Sequence, residues 1–126
     1  MDPVPTDRKY SKTHEWFKVE GETVRIGITK FAADELTDIT FVSMPPVGKK
    51  VEAGGTFGEI ESVKATSELF STVAGEVVEV NTVLTDKPEL VNNDAFNQGW
   101  MIRLQATDLK PLDALMDAKA YQEMVG

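Results

Sequence analysis

One lysine in this sequence stands where its amine could be put to use. Lys64 lies in the polar stretch Glu61-Ser62-Val63-Lys64-Ala65-Thr66-Ser67-Glu68. Apolar runs at 57–63 and 69–73 flank it, a pattern that predicts two strands joined by a hairpin turn. A lysine at a hairpin tip is accessible from most sides, and the small Ala65 beside it leaves room for an enzyme that acylates the amine. Acylation removes the positive charge and extends an already flexible stem. A group attached there can visit several active sites while the protein itself does little chemistry. The residues alone also allow the plainer reading of a solvated turn lysine. Other chemistries have less to work with. The chain has no cysteine, so it holds no disulfide, thiolate nucleophile or cysteine metal site. His14 is the single histidine, which removes multi-histidine metal clusters and leaves a Ser-His-Asp centre without support. No nucleophile–base pair or phosphate loop is visible, so an independent enzyme is not expected.

The elements that must hold Lys64 are short. A chain of 126 residues suits one domain and can bury roughly two thirds of its unfolded surface. Residues 1–9 read as a flexible arm and 10–126 as a single domain. Val24, Ile26 and Ile28 alternate with Thr23, Arg25 and Gly27, and Trp100, Ile102 and Leu104 alternate with Met101, Arg103 and Gln105. That is the period-two pattern of half-buried strands. Further short runs at 16–19, 39–44, 47–51, 57–63, 69–73 and 76–80 indicate a β sandwich or barrel. Thr29 is placed to cap a helix over 30–36 that buries Phe31, Ala32 and Leu36. A second helix is expected from Pro111 onward, with Leu112, Leu115, Met116 and Met124 near one face. Residues 85–99 read as a long irregular loop. The pattern G-x-x-V-E occurs at Gly48–Glu52 and again at Gly75–Glu79, with Lys64 between the copies. A duplicated strand unit would put the intervening segment at the turn joining two similar halves.

Net charge is −8. Nucleic-acid binding needs a basic footprint that is missing here, and anionic membranes are disfavoured for the same reason. No run approaches the ~20 apolar residues of a membrane span. The N-terminus carries neither a secretory signal nor an Arg-rich transit peptide, so a cytoplasmic protein is expected, with a processed mitochondrial form left open. An acidic surface suits steering toward basic patches on protein partners and equally suits solubility alone.

The blocks around these elements resemble glycine cleavage H proteins over about residues 10–125. Glu61-Ser62-Val63-Lys64-Ala65 is similar to the family's lipoylation motif, inside a longer match from Gly58 to Asn81. The stretches Tyr10-Ser11-Lys12-Thr13-His14-Glu15-Trp16, Val24-Arg25-Ile26-Gly27-Ile28-Thr29, Asp38-Ile39-Thr40-Phe41-Val42 and Gly99-Trp100-Met101-Ile102 agree in order. The resemblance implies a mainly β fold, a flattened barrel or sandwich hybrid like lipoyl and biotinyl domains, with small flanking helices and a C-terminal helix. It implies lipoate in amide linkage to Lys64, as N6-lipoyllysine, on a non-catalytic carrier that acts as a monomer. Partners implied are glycine decarboxylase (P protein), the aminomethyltransferase (T protein), dihydrolipoyl dehydrogenase (L protein), and a lipoate ligase or lipoyltransferase. A protein thiol could exchange with the cofactor's dithiol, which agrees with the missing cysteines.

In the family the loaded arm folds back into a cleft whose matching positions are Thr13, Glu15 and Glu68. Carboxylates and a hydroxyl suit a protonated amine. Thr13 and Glu68 stand where some relatives have serine and aspartate, and Glu35 where some have histidine. Related carriers fit less well. The lipoyl domains of 2-oxo-acid dehydrogenases typically show Asp-Lys-Ala, and biotin carriers have methionines on both sides of the lysine; here the neighbours are Val63 and Ala65. An H-like protein serving mainly as a lipoyl donor, and an unmodified interaction domain, remain as alternatives.

Overall fold

The two alternating segments become adjacent antiparallel strands at the centre of one sheet, although more than seventy residues separate them in the chain. The computed structural model describes residues 3–126. Strands β1 (Lys9–Tyr10), β2 (Glu15–Glu20) and β3 (Thr23–Ile28) run antiparallel, with β2 turning into β3 at Gly21, φ 68°. Helix α1 (Lys30–Leu36) follows, then β4 (Ile39–Ser43), β5 (Lys50–Val51), β6 (Thr56–Ser62), β7 (Thr66–Phe70) and β8 (Gly75–Val80). Two single-turn helices, α2 (Val83–Asp86) and α3 (Leu90–Asn93), precede β9 (Ile102–Ala106). One sheet has the order β1-β2-β3-β9-β8-β5 and the other β4-β6-β7, with every pairing antiparallel.

Apolar residues from both sheets share one core. Phe17, Val24, Ile26, Val77, Ile102 and Leu104 from the first meet Ile39, Val42, Phe57, Ile60 and Leu69 from the second. The mainly β sandwich expected from the sequence is therefore present, and the two sheets do not close into a barrel. A second cluster lies on the opposite face of β2, where Trp16 packs with Val4, Tyr10, Ala118 and Tyr121. Strand β2 is thus covered on both sides.

The two G-x-x-V-E copies lie against each other. Lys50 pairs with Glu76 and Val51 with Gly75, and the Gly48 N–H donates to the Val77 carbonyl at 2.7 Å. The chain between them runs out through β6, turns at Lys64 and returns through β7.

Three segments differ from the sequence reading. Thr29 caps α1 as expected, accepting from the Ala32 N–H at 3.2 Å, but no single helix runs from Pro111. A 3-10 turn over Lys110–Ala114 ends at an extended Leu115, and helix α4 (Ala118–Val125) starts afresh at Asp117. Two interactions force the break. Met116 exchanges backbone hydrogen bonds with Tyr10 at 2.8 and 3.0 Å, using groups a helix would need. The Asp117 carboxylate then caps α4 through the Ala120 N–H at 2.8 Å. Leu112 consequently enters the main core, whereas Met124 is exposed.

The stretch read as an irregular loop contains α2 and α3 and is held by side chains from elsewhere. Trp16 Nε1 donates to the Ala95 carbonyl at 3.0 Å, and Asn81 Nδ2 donates to the Gln98 and Trp100 carbonyls at 2.8 Å each. At the N-terminus, read as a flexible arm, Met1 and Asp2 lie outside the described residues. Val4 is buried, and the Arg8 guanidinium lies 4.6 Å from the centre of the Trp16 ring while donating to the Phe96 carbonyl at 2.8 Å.

Trp16 depends on the residue opposite it. It pairs with Gly27, where an added Cβ would stand 2.7 Å from the indole ring. Both sit in closely packed interior, so the ring has little room to shift. Gly27→Ala is expected to lower the unfolding free energy by about 1–3 kcal/mol, read as a lower urea midpoint at unchanged slope.

Candidate functional site

The turn between β6 and β7 is built by a serine. Ser62 closes it with its N–H to the Ala65 carbonyl at 2.8 Å. Its Oγ accepts from the Lys64 and Ala65 N–H groups at 3.1 and 3.0 Å. Serine readily makes such local bonds, and here they satisfy turn amides that would otherwise need water. One further bond ties the turn to the body of the protein: the Val63 N–H donates to the Asp38 carbonyl at 3.1 Å.

These bonds hold the backbone and leave the side chain free. Val63, Lys64, Ala65 and Thr66 are all exposed. Lys64 takes part in none of the ion pairs among the described residues. Its Nζ donates to the Glu35 carbonyl at 3.0 Å, a single exposed bond to a neutral group that water can replace at a cost of about 1 kcal/mol. An amine so placed is open to acylation.

Glu35, which accepts that bond, also lines a groove of about 350 Å³ between α1, the 11–14 turn and β7. Thr13, His14, Phe31, Ala32, Glu35, Leu36 and Ser67 line it. The structure therefore places Thr13 and Glu35 in the lining of one groove. Glu15 lies beneath them, only 1% exposed. Its Oε1 accepts from Ser11 Oγ at 2.6 Å and from Thr13 Oγ1, and its Oε2 accepts from the Phe70 N–H at 3.2 Å. Because Glu15 belongs to β2 and Phe70 to β7, this carboxylate joins the two sheets while also holding the groove-lining Thr13. Burial pushes its pKa up, and the bonds from Ser11, Thr13 and Phe70 offset part of that rise.

Glu68 is placed differently. It pairs with Glu59 on the adjacent strand and is exposed. Successive strand residues face opposite ways, so Ser67 enters the groove lining while Glu68 faces away from it.

The groove's other wall has no signal in the local sequence. His14 has φ 73°, a left-handed conformation uncommon for residues with a Cβ. Its Nδ1 and the Tyr121 hydroxyl share a hydrogen bond at 2.7 Å, and the same hydroxyl is bonded to Thr29 Oγ1 at 2.7 Å. The imidazole also packs on Phe31, with ring centres 5.0 Å apart. Burial lowers the His14 pKa, and the Glu35 charge acts the other way. Tyr121 lies 107 positions away in sequence, so nothing near His14 announces this contact. No cluster of three or more metal-ligating side chains occurs among the described residues.

The residue pattern and the fold both have close counterparts. The profile of the family described as Glycine cleavage H-protein matches residues 8–126. The glycine cleavage system H protein of Halalkalibacterium halodurans is 51% identical over 125 residues, covering 99% of this chain and 98% of its own. That of Staphylococcus haemolyticus is 50% identical over 123 residues, covering 98% of each. The crystal structure of a glycine cleavage system H protein from Mycobacterium marinum superposes with a TM-score of 0.89 at 37% identity, over 98% of this chain and 99% of that one. A hairpin lysine on a two-sheet sandwich thus comes with near full-length agreement in sequence and backbone, and the chain belongs to the glycine cleavage H-protein family.

Proposed function

We propose that this protein is the lipoyl-bearing shuttle of glycine cleavage, with Lys64 as the attachment point. As a family member it is a non-catalytic carrier. The observation that carries the assignment of Lys64 is the contrast between its fixed backbone and an amine whose one bond is to a neutral carbonyl. An amide between Nζ and the lipoyl carboxyl removes the lysine charge without breaking any ion pair seen among the described residues. The small Ala65 and exposed turn leave the approach to Nζ clear. A lipoyl group on Lys64 would supply a disulfide that is reduced as it takes up the aminomethyl group at glycine decarboxylase, and then, once the aminomethyltransferase has removed that group, a dithiol for dihydrolipoyl dehydrogenase to reoxidise. A lipoate ligase or lipoyltransferase installs it.

The chain's own residues supply the anchor and a shelter. An arm rooted at Lys64 can lie along the groove that Glu35 already borders. Phe31, Ala32 and Leu36 offer it apolar contact, and a cationic amine at its end would meet the Thr13 hydroxyl with the Glu15 carboxylate below. In that buried setting opposite charges attract strongly. Glu35 adds negative potential at the rim. Lys64 and the groove come from one chain, which supports action as a monomer and a single carrier domain over 10–126. Among the described residues no helix is long and apolar enough to cross a membrane. The bacterial relatives support a cytoplasmic setting.

Lys64→Arg keeps a long cationic side chain in an exposed turn, so it should fold normally. The expected result is no lipoyl mass increment after incubation with lipoate, ATP and ligase, and loss of glycine-dependent carbon dioxide exchange by glycine decarboxylase. Full activity in that variant would remove Lys64 from the account.

Glu15 gives a pH signature. Its folded pKa lies above the ordinary value of 4.5, so in that range the folded protein binds a proton more tightly than the unfolded chain. This contribution favours folding below the unfolded value and is lost as pH rises through the folded one. Unfolding free energy measured across that window should fall in wild type, and Glu15→Gln should flatten the fall. Carboxyl NMR should also show the Glu15 pKa moving down when the arm carries an amine.

A further inference from the structure

The bond from Val63 to Asp38 requires that the corner joining α1 to β4 be held in place, and that corner is strained. Thr37 has φ 63° and ψ −147°, a left-handed conformation that a β-branched residue rarely adopts. Its N–H donates to the Asp34 carbonyl at 3.2 Å, ending the helix. One side chain from outside grips both flanks of the corner. Asn92 on α3 donates from Nδ2 to the Thr37 carbonyl at 2.8 Å and accepts at Oδ1 from the Ile39 N–H at 2.9 Å. The residue between those two contacts is Asp38, whose carbonyl receives the N–H of Val63, the residue before Lys64.

We propose that Asn92 is the positioning residue of the lysine turn. By clamping Thr37 and Ile39 it holds the Asp38 carbonyl under Val63, and so fixes the direction in which Lys64 is offered to the enzymes that act on it. The role in presentation rests on the reading of Lys64 as the lipoyl attachment point. The clamp joins the two halves of the site, because the corner it steadies is also the end of α1, which carries Glu35 and the groove wall. A carboxamide suits this position because it supplies one donor and one acceptor side by side, matching a carbonyl and an N–H two residues apart. Aspartate would keep the shape and the acceptor but would turn an oxygen toward the Thr37 carbonyl.

The test uses the full-length protein with Asn92→Asp and Asn92→Ala, and Asn93→Ala as the control at an exposed position next along α3. Amide hydrogen exchange is read by NMR on unmodified protein, and ligase kinetics are read with lipoate and ATP. In the Asn92 variants the Val63 and Ile39 amides should exchange roughly tenfold faster, the loss expected for one hydrogen bond. The Met101 amide, bonded to Ile26 in the core at 2.8 Å, should be unchanged. The ligase KM for the protein should rise several-fold, because the presented conformer is less populated, with kcat little altered. A merely structural role would speed Met101 exchange along with that of Val63 and leave KM alone once the folded fraction is allowed for. Unchanged Val63 exchange in folded Asn92→Asp overturns the proposal, as does faster exchange with unchanged KM. If both variants fail to fold, Asn92 is a folding determinant and the positioning role is wrong. Wild-type protein that takes no lipoate at Lys64 would instead sink the functional reading, while the exchange result still decides whether the clamp holds the turn.

Discussion

A swinging tether needs a root that stays still while the reactive end stays in water. Ser62 and the Val63–Asp38 bond meet the first demand through the backbone, so that no side-chain interaction of Lys64 is used up in doing it. A salt bridge at Lys64 would have steadied the turn equally well, but it would have competed with acylation and vanished once the charge was removed. Backbone bonds survive the modification. On the proposed reading of Lys64, the same turn would present the bare amine to a ligase and the finished arm to the partner enzymes.

The sandwich makes such a turn dependable. Strands β6 and β7 leave a sheet whose inner residues, Ile60 and Leu69, are buried against the opposite sheet. A one-residue slip would turn those side chains outward, so the core fixes which residue reaches the tip. The pairing of the Gly48–Glu52 and Gly75–Glu79 segments closes the unit behind it. At the groove end Glu15 fastens one sheet to the other through Phe70. A buried carboxylate is costly unless it is well bonded, and Ser11, Thr13 and Phe70 all donate to this one. On the proposed reading, a cationic cargo in the groove would meet this same carboxylate, so one interaction would serve both the fold and the arm.

Much of this is legible in the residues. Period-two alternation locates β3 and β9, and Thr29 marks the start of α1, because these signals depend on near neighbours. Lys64 stands out for the same reason: polarity, small neighbours and flanking apolar runs are all local. Thr13, Glu15 and Glu35 come through family likeness, and only the fold explains why residues so far apart in sequence meet. Glu15 reads as one more acid in an acidic chain until strand pairing brings the Phe70 N–H to it. The C-terminal helix is shorter than hydrophobic spacing suggests, because that spacing does not register Met116 pairing with Tyr10. His14, Tyr121 and Asn92 act through contacts between distant parts of the chain, and no local pattern encodes them.

The central claim is that one amine on this sandwich, and no other, becomes the root of the arm. Peptide mass mapping of wild-type protein after ligase treatment with lipoate and ATP tests it most directly. The account predicts a lipoyl increment confined to the peptide containing Lys64, with every other lysine unmodified. An increment on a different lysine, or none at all with active ligase, would contradict it.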